Sequence, residues 1–268
     1  MITSLTLFGL CAVLGSAVGF LAGLLGIGGG LIIVPVLTSL LLWLKVVPDT
    51  SVMLVAIATS LASILFTSTS SALAHHKNNN IPWHIAPWVM GGVALGALLS
   101  SFFAALLPED YVRFIFGISV LLIAYRMLYS KEKAEESVTL PKGPLLSSIT
   151  ALMGALSAMI GIGGGALIVP LLSHFSIDMK KAIGCASACG IVIALFGSVG
   201  YITSGWHVFE LSAGFIGFIY LPALFGVVST SWFMAPIGAK ATHHLPVKVI
   251  KRVFAGLLVI IAIKMLMS

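Results

Sequence analysis

The chain has 268 residues, of which 59% are hydrophobic and 8% are charged, with a net charge of +6 and a mean hydropathy of +1.16. The charges are confined to short stretches between apolar runs of about 20 residues, the length that crosses the hydrocarbon layer of a bilayer. This composition excludes a soluble globular domain. It predicts an all-α integral membrane protein, and no nucleotide-binding loop, metal-ligand pattern or catalytic triad appears.

The first two apolar segments, A (residues 3–25) and B (31–44), meet at a cluster of four glycines between residues 26 and 30, with Pro35 beyond it. Glycine costs roughly 1 kcal/mol relative to alanine inside a helix, so the cluster predicts a helix break. In a bilayer a broken helix is tolerated only where protein or a water-filled cavity satisfies the freed backbone groups. We therefore expect A and B to form a broken-helix hairpin.

Three further segments complete the first half: C (50–74), D (84–107) and E (111–129). Segment C carries hydroxyl side chains at three- and four-residue spacing, which places them on one helix face: Ser60, Ser63, Thr67 and Ser71. These hydroxyls either line a pathway or pack against neighbouring helices.

The second half repeats the order of the first. A polar stretch (130–143) divides the chain into a first membrane repeat (1–129) and a second (144–268). A second glycine cluster, with Pro170 beyond it, lies 135 positions after the first. The apolar segments of this half are A′ (144–160), B′ (166–175), C′ (182–203), D′ (210–235) and E′ (246–267).

The distribution of basic residues predicts the orientation. If each A–B pair enters and leaves the membrane on the same side, all but three of the 14 Lys and Arg fall on one side, the exceptions being Lys45, Arg113 and Lys264. A single crossing for each pair would divide them almost evenly. Cytoplasmic loops are rich in Lys and Arg. We therefore expect inverted repeats in a bacterial inner membrane, with a cytoplasmic linker and both termini outside.

The glycine clusters are the candidate binding site. A helix that resumes after glycine exposes unpaired N–H groups and the positive end of its dipole, which favours an anion. Matching interruptions in two halves indicate a transporter site, although glycines also allow close helix packing. The candidate substrate-binding residues are the glycines and three nearby hydroxyls: Gly26, Gly28, Gly29, Gly30, Thr59, Ser60, Gly161, Gly163, Gly164, Gly165 and Ser187.

The ionisable residues also favour an anion. All eight acidic residues fall at segment ends or in loops, whereas cation transporters and proton relays usually place a carboxylate inside the membrane. Arg113 and Arg126 bracket segment E, and Lys251 and Lys264 bracket E′, either as anchors at the membrane surface or as a vestibule that gathers anions. Without an intramembrane acid, any proton coupling requires the substrate to carry the proton.

Two other classes of function stay open. Cys185 and Cys189 lie four residues apart, so a thiol or redox carrier is an alternative, although a buried cysteine is also an ordinary small apolar residue. A membrane-embedded structural partner without a substrate is another. Apart from lipids, we expect no metal, cofactor or nucleic-acid partner.

The doubled pattern of Gly-Ile-Gly-Gly-Gly followed by proline (26–35 and 161–170), with the Ala-Thr-Ser-Leu run at 58–61, resembles the sulfite exporter TauE/SafE family. The resemblance covers essentially the whole chain. It implies a bacterial permease that moves small sulfur oxyanions or organosulfonates, such as sulfite or thiosulfate, usually outward. The second half departs from the family pattern, because Cys185-Ala186-Ser187 replaces the usual Thr-Ser pair. A permease for another small anion remains an alternative.

Overall fold

The fold is almost entirely helical in a computed structural model that describes residues 2–25, 29–129, 140–241 and 247–267. The first half contains α1 (Ile2–Leu25), α2 (Gly30–Trp43), α3 (Val52–Lys77), α4 (Ala86–Leu106) and α5 (Glu109–Tyr129). The second half contains α6 (Gly143–Ile160), α7 (Gly165–His174), α8 (Met179–Ser204), α9 (Leu221–Ala241) and α10 (Val247–Met267). Within the described ranges the only sheet is an antiparallel hairpin of β1 (Phe215–Ile216) and β2 (Ile219–Tyr220).

The exposed surface is that of a membrane protein. Five of the described helices are long and apolar enough to cross a bilayer: Asp49–Lys77, Ala86–Leu106, Glu109–Leu128, Gly143–Ile160 and Met179–Ser204. Large apolar side chains point outward along them, as Leu95 and Leu99 of α4 do. Four tryptophans at or near helix ends are also exposed, a position typical of the membrane interface: Trp43, Trp83, Trp88 and Trp206. The prediction of an all-α membrane protein is confirmed.

Helices α3 and α8 cross the centre of the fold in opposite directions. Their register pairs Leu61 with Gly197, Ser68 with Gly190, and Ser71 with Ser187. We call the side where α3 begins and α8 ends the first side, and the opposite side, where α3 ends and α8 begins, the second side. The remaining helices pack around this central pair.

Outer helices of each half pack against outer helices of the other half. The helix α1 packs along α9, and α6 packs along α4, so the first helix of each half contacts the fourth helix of the other. Glycines allow the close approach in both pairs, since Gly15 lies against the carbonyl of Val227 and Gly96 against that of Ala151. These contacts between the two halves are compatible with inverted repeats, and the inverted relation stays a prediction.

Most predicted segments coincide with helices, but the start of D′ was wrong. Segment D′ was expected to be continuous from residue 210, whereas a 3₁₀ turn and the β1–β2 hairpin precede α9, which begins at Leu221. The physical reason is local, because Gly214 and Gly217 have φ values of +86° and +57°, outside the helical region. Most of the predicted linker (130–139) lies outside the described residues.

Candidate functional site

The two glycine clusters lie against each other in the centre of the fold. A Cβ on Gly30, the first residue of α2, would collide with the carbonyl oxygen of Gly161, which follows the end of α6. The same Cβ would lie 3.0 Å from Cδ1 of Ile64, near the middle of α3. The structure thus brings the two helix breaks together at the level of the centre of the long helices.

Three glycines in these breaks have backbone conformations that other residues avoid. Gly29 and Gly164, which immediately precede α2 and α7, have φ values of +72° and +70°, and Gly161 has a φ of +73°. A left-handed conformation costs an L-residue roughly 1–2 kcal/mol. Glycine is therefore required here by the path of the backbone as well as by close packing.

The chain reverses direction at the second break. Helix α6 begins with Gly143 against Trp88 on the second side, and Gly161 at its far end lies against Ile57 of α3. After the break, α7 returns toward the second side, where Ser173 contacts the sulfur of Met179 at 3.9 Å. Helix α6 thus begins, and α7 ends, on the second side of the fold.

The break before α7 leaves backbone donors unpaired in a buried place. The N–H of Gly165 donates to the carbonyl of Gly163 at 2.7 Å, but the N–H groups of Gly163, Gly164 and Ala166 have no acceptor among the described residues. Residues 161–165 are buried. Buried N–H groups are almost always paired, with protein, water or ligand, so this point requires an acceptor, and the α7 dipole favours a negative one.

The three predicted hydroxyls have protein partners in this conformation. Ser60 donates to the carbonyl of Gly161 at 2.9 Å, and Thr59 accepts from the N–H of Tyr220 at 3.0 Å. Ser187 lies 3.0 Å from Ser71, hydroxyl to hydroxyl. In this conformation the single hydroxyl hydrogen of Ser60 is used by Gly161, so Ser60 helps to hold the breaks together, and contact of the three hydroxyls with an anion stays a prediction.

Ser68 is a central hydroxyl that the sequence analysis missed. Its Oγ lies 3.5 Å from where a Cβ of Gly163 would be and 2.6 Å from where a Cβ of Gly190 would be. The side chain is 6% exposed and lies two helical turns after Ser60, on the same side as Ile64. Four-residue spacing from Ser60 could have identified it, but the longer stripe of hydroxyls favoured Ser63 and Thr67.

Polypeptide covers the centre on both sides. On the first side, the β1–β2 hairpin is buried, its Tyr220 N–H bonds Thr59, and Phe215 packs with its ring centroid 4.6 Å from that of Tyr220. On the second side, the carbonyl of Asn80, in the loop between α3 and α4, lies against Gly184 of α8.

The remaining candidate residues lie in several parts of the chain. Gly26 and Gly28 lie outside the described residues, while Gly165 begins α7. Cys185 and Cys189 are fully buried. Among the described residues no group of three or more His, Cys, Asp or Glu could hold a metal ion.

Comparison with known proteins agrees with this architecture. The family described as sulfite exporter TauE/SafE matches residues 11–265. A probable membrane transporter protein of Haemophilus influenzae is 39% identical over 260 residues, covering 97% of this chain and 98% of the relative. The probable membrane transporter protein YdhB of Bacillus subtilis is 28% identical over 240 residues, covering 87% and 89%. A probable membrane transporter protein of Methanocaldococcus jannaschii is 25% identical over 272 residues, covering 98% and 97%.

No solved structure matches the chain. The family, the relatives and the apolar helices make it a multi-pass membrane transporter. The chain belongs to the sulfite exporter TauE/SafE family.

Proposed function

We propose that this transporter exports small sulfur-containing anions, such as sulfite, thiosulfate or organosulfonates, by alternating access around a site between the two glycine breaks. The observation that carries the proposal is the set of N–H groups of Gly163, Gly164 and Ala166 at the start of α7, which have no acceptor among the described residues; Gly163 and Gly164 are buried. Anions bind at such helix starts because the donors and the dipole act together. The choice of sulfur anions follows the family description alone.

We assign the binding of the anion to backbone groups of the glycines in both breaks. The hydroxyl side chains of Thr59, Ser60 and Ser187 hold the surrounding structure in place. Ser68 adds a side-chain donor beside Gly163. Ser60 and Thr59 fix the break and the hairpin, and Ser187 pairs with Ser71 along the path toward the second side. Protons are carried by the substrate, because the buried carboxylate of Glu109 lies at the start of α5, away from the breaks.

Alternating access requires that the two covers open in turn. The first side is closed here, since the hairpin residues Phe215, Phe218 and Tyr220 are at most 4% exposed. Toward the second side Ser71 is exposed. Because the Asn80 loop nevertheless covers the centre on the second side, we assign this arrangement to an occluded state, and we propose that rocking of the two inverted halves opens the two sides in turn.

The proposed orientation places the second side in the cytoplasm of a bacterium, with the linker there and both termini outside. This assignment uses the excess of Lys and Arg on the second side. A single cysteine in place of Lys142 should react with an impermeant maleimide only after the membrane is opened. A cysteine in place of Lys45 should react in intact cells, and the reverse labelling pattern would contradict the orientation.

The function is tested by flux into liposomes that contain the purified protein. The panel of anions is sulfite, thiosulfate, an organosulfonate, sulfate and chloride, and transport of at least one sulfur anion above protein-free liposomes is expected. Gly164→Val should abolish the flux while the protein remains in the membrane, since its φ is +70° and a Cβ would lie 2.9 Å from Ile193. Gly29→Val, whose Cβ would lie 2.6 Å from Val18, should do the same. Full flux in both variants would refute the proposed site at the glycine breaks.

The same assay separates the alternatives. A thiol carrier would lose its function when Cys185 and Cys189 are changed to serine, and because both thiols are fully buried we expect transport to continue. Selective flux of chloride would indicate a permease for another small anion. A protein that transports no member of the panel would be assigned to a structural role.

A further inference from the structure

A cavity with polar side chains in its wall lies on the first side, away from the glycine breaks. It has a volume of about 190 Å³ and lies between α2, α5 and α10. Its lining residues are Thr38, Ser39, Leu42, Arg113, Lys264 and Met265. Arg113 and Lys264 are 151 positions apart in the chain, so only the tertiary fold brings these two cations to one cavity.

The charge of Arg113 is incompletely balanced. Its side chain is 15% exposed, and its Nε has no hydrogen-bond partner among the described residues. Its ion pair is long, with 3.8 Å between Nη2 and Oε1 of Glu109, and that same oxygen accepts the N–H of Met53 at 2.7 Å. Oε2 of Glu109 is also buried without a hydrogen-bond partner among the described residues, so the ion pair satisfies neither group fully. A buried guanidinium N–H without an acceptor is costly, and an anion in the cavity would supply one.

Lys264 adds a second positive charge. It is exposed, and within the part of the chain that the structure describes no carboxylate lies within ion-pair distance of it. The acidic residues packed around this region are Glu109 on α5, which pairs with Arg113, and the exposed Asp49 and Asp110. Two cations and one closely placed carboxylate leave the cavity wall positive.

The hydroxyls of the cavity do not supply donors. Thr38 donates to the carbonyl of Val34 at 2.8 Å, and Ser39 donates to that of Pro35 at 2.9 Å. An anion here would be held by charge rather than by a fixed set of hydroxyl donors. The cavity would therefore concentrate small anions while selecting weakly among them.

Size and position connect this cavity to the central breaks. Its 190 Å³ corresponds to about six water molecules at liquid density, which suits a small oxyanion with part of its hydration shell. Helix α2 begins at Gly30 in the central break and carries Thr38 in the cavity wall, eight residues later. At 1.5 Å per residue the two places are about 12 Å apart along α2.

We propose that Arg113 and Lys264 form a second, low-selectivity site for small oxyanions on the first side, which is the exit side in the proposed orientation, so that the cavity is the outer vestibule of the central site. Its role in transport rests on the proposed function, whereas anion binding to the cavity does not. Clefts lined by charge of one sign raise the local concentration of the oppositely charged ligand.

The test measures thiosulfate flux in liposomes at increasing thiosulfate concentration, added on the first side so that the transporter runs in the reverse of the proposed export. The double variant Arg113→Gln/Lys264→Gln should raise the half-saturating concentration about tenfold and leave the maximal rate within about twofold. Glu109→Gln keeps an oxygen for the Met53 N–H but removes the negative charge, so the half-saturating concentration should fall. The matched control is Arg252→Gln, an exposed cation on α10 that does not line the cavity.

Two further observations separate a vestibule from a structural role. The charge-preserving exchange Arg113→Lys/Lys264→Arg should retain most of the affinity. The affinity difference between the native and the doubly neutral protein should shrink at about 1 M salt, because the Debye length is then about 3 Å and the attraction between the cations and the anion is screened. An unchanged half-saturating concentration in the doubly neutral variant would overturn the proposal. The proposal would also be overturned if the charge-preserving variant lost as much affinity as the doubly neutral variant.

A binding measurement distinguishes failure of this proposal from failure of the transport function. Thiosulfate should raise the melting temperature of the native protein in detergent, because a ligand of the folded state stabilises it. The increase should persist in Gly30→Ala, in which the central site is disturbed, and be lost when Arg113→Gln/Lys264→Gln is added to Gly30→Ala. This pattern without any flux would support the cavity and refute transport, whereas an increase in the combined variant as large as in Gly30→Ala alone would refute the cavity.

Discussion

Replacement of Gly30 by alanine tests the contact between the two helix breaks. The new Cβ would collide with the carbonyl of Gly161 and lie 3.0 Å from Cδ1 of Ile64. A backbone carbonyl in a buried turn cannot rotate away, so the two breaks must separate. Overpacking of this kind costs typically about 1–3 kcal/mol, which corresponds to about 5- to 150-fold in an equilibrium constant.

The assay is flux of the transported anion into liposomes at saturating concentration, together with the melting temperature in detergent. We expect Gly30→Ala to lower the flux at least about fivefold if the strain is borne by the transport-competent arrangement. The matched control is Gly91→Ala on α4, where a Cβ would have no heavy atom within 4 Å. Alanine is the better helix former, so the control should melt slightly higher than the native protein.

A second substitution identifies which contact matters. Ile64→Val removes Cδ1 but leaves the carbonyl of Gly161 in place, so it should not rescue Gly30→Ala. If Ile64→Val restored the flux of Gly30→Ala, the contact with Ile64 alone would explain the loss of flux. Native flux and native melting temperature in Gly30→Ala would refute the reasoning, because the breaks could then separate without consequence.

Two other predictions concern the hydroxyls of α3. Thr59→Val leaves the buried N–H of Tyr220 unpaired, at a cost of about 1–3 kcal/mol; it should lower the melting temperature and speed hydrogen exchange in residues 215–220, whereas Thr59→Ser should have a smaller effect. Ser68→Ala removes the proposed donor and should raise the half-saturating anion concentration about 2- to 12-fold, for a hydrogen bond of about 0.5–1.5 kcal/mol. Ser63→Ala is its control, because that hydroxyl donates to the carbonyl of Thr59 in its own helix, and equal effects of the two serine substitutions would contradict the assignment.

The helical segments could be predicted from local sequence because their signals are local. Apolar runs and the glycine clusters located α2 and α7 to within a residue or two, and Gly29 and Gly164 occupy the positions where left-handed backbone is needed. Segment D′ failed for a reason that is also local, since residues 210–220 are as apolar as a helix but contain Gly214 and Gly217.

The partners of the hydroxyls could not be predicted in the same way. Hydroxyl spacing identified a polar face of α3, but it could not show that Ser60 bonds Gly161 or that Thr59 bonds Tyr220, 161 positions away. Those bonds depend on which helices become neighbours. Ser68 was missed because Gly163 and Gly190 reach it only after folding.

The sequence by itself determined that this protein lies in a membrane, where its helices are and where two of them break, because hydropathy and glycine content act over a few residues. Only the tertiary structure decided that Gly30 and Gly161 touch and that Arg113 and Lys264 line one cavity. Both juxtapositions join residues more than 130 positions apart. They arise from packing between the two halves, which no local pattern of residues specifies.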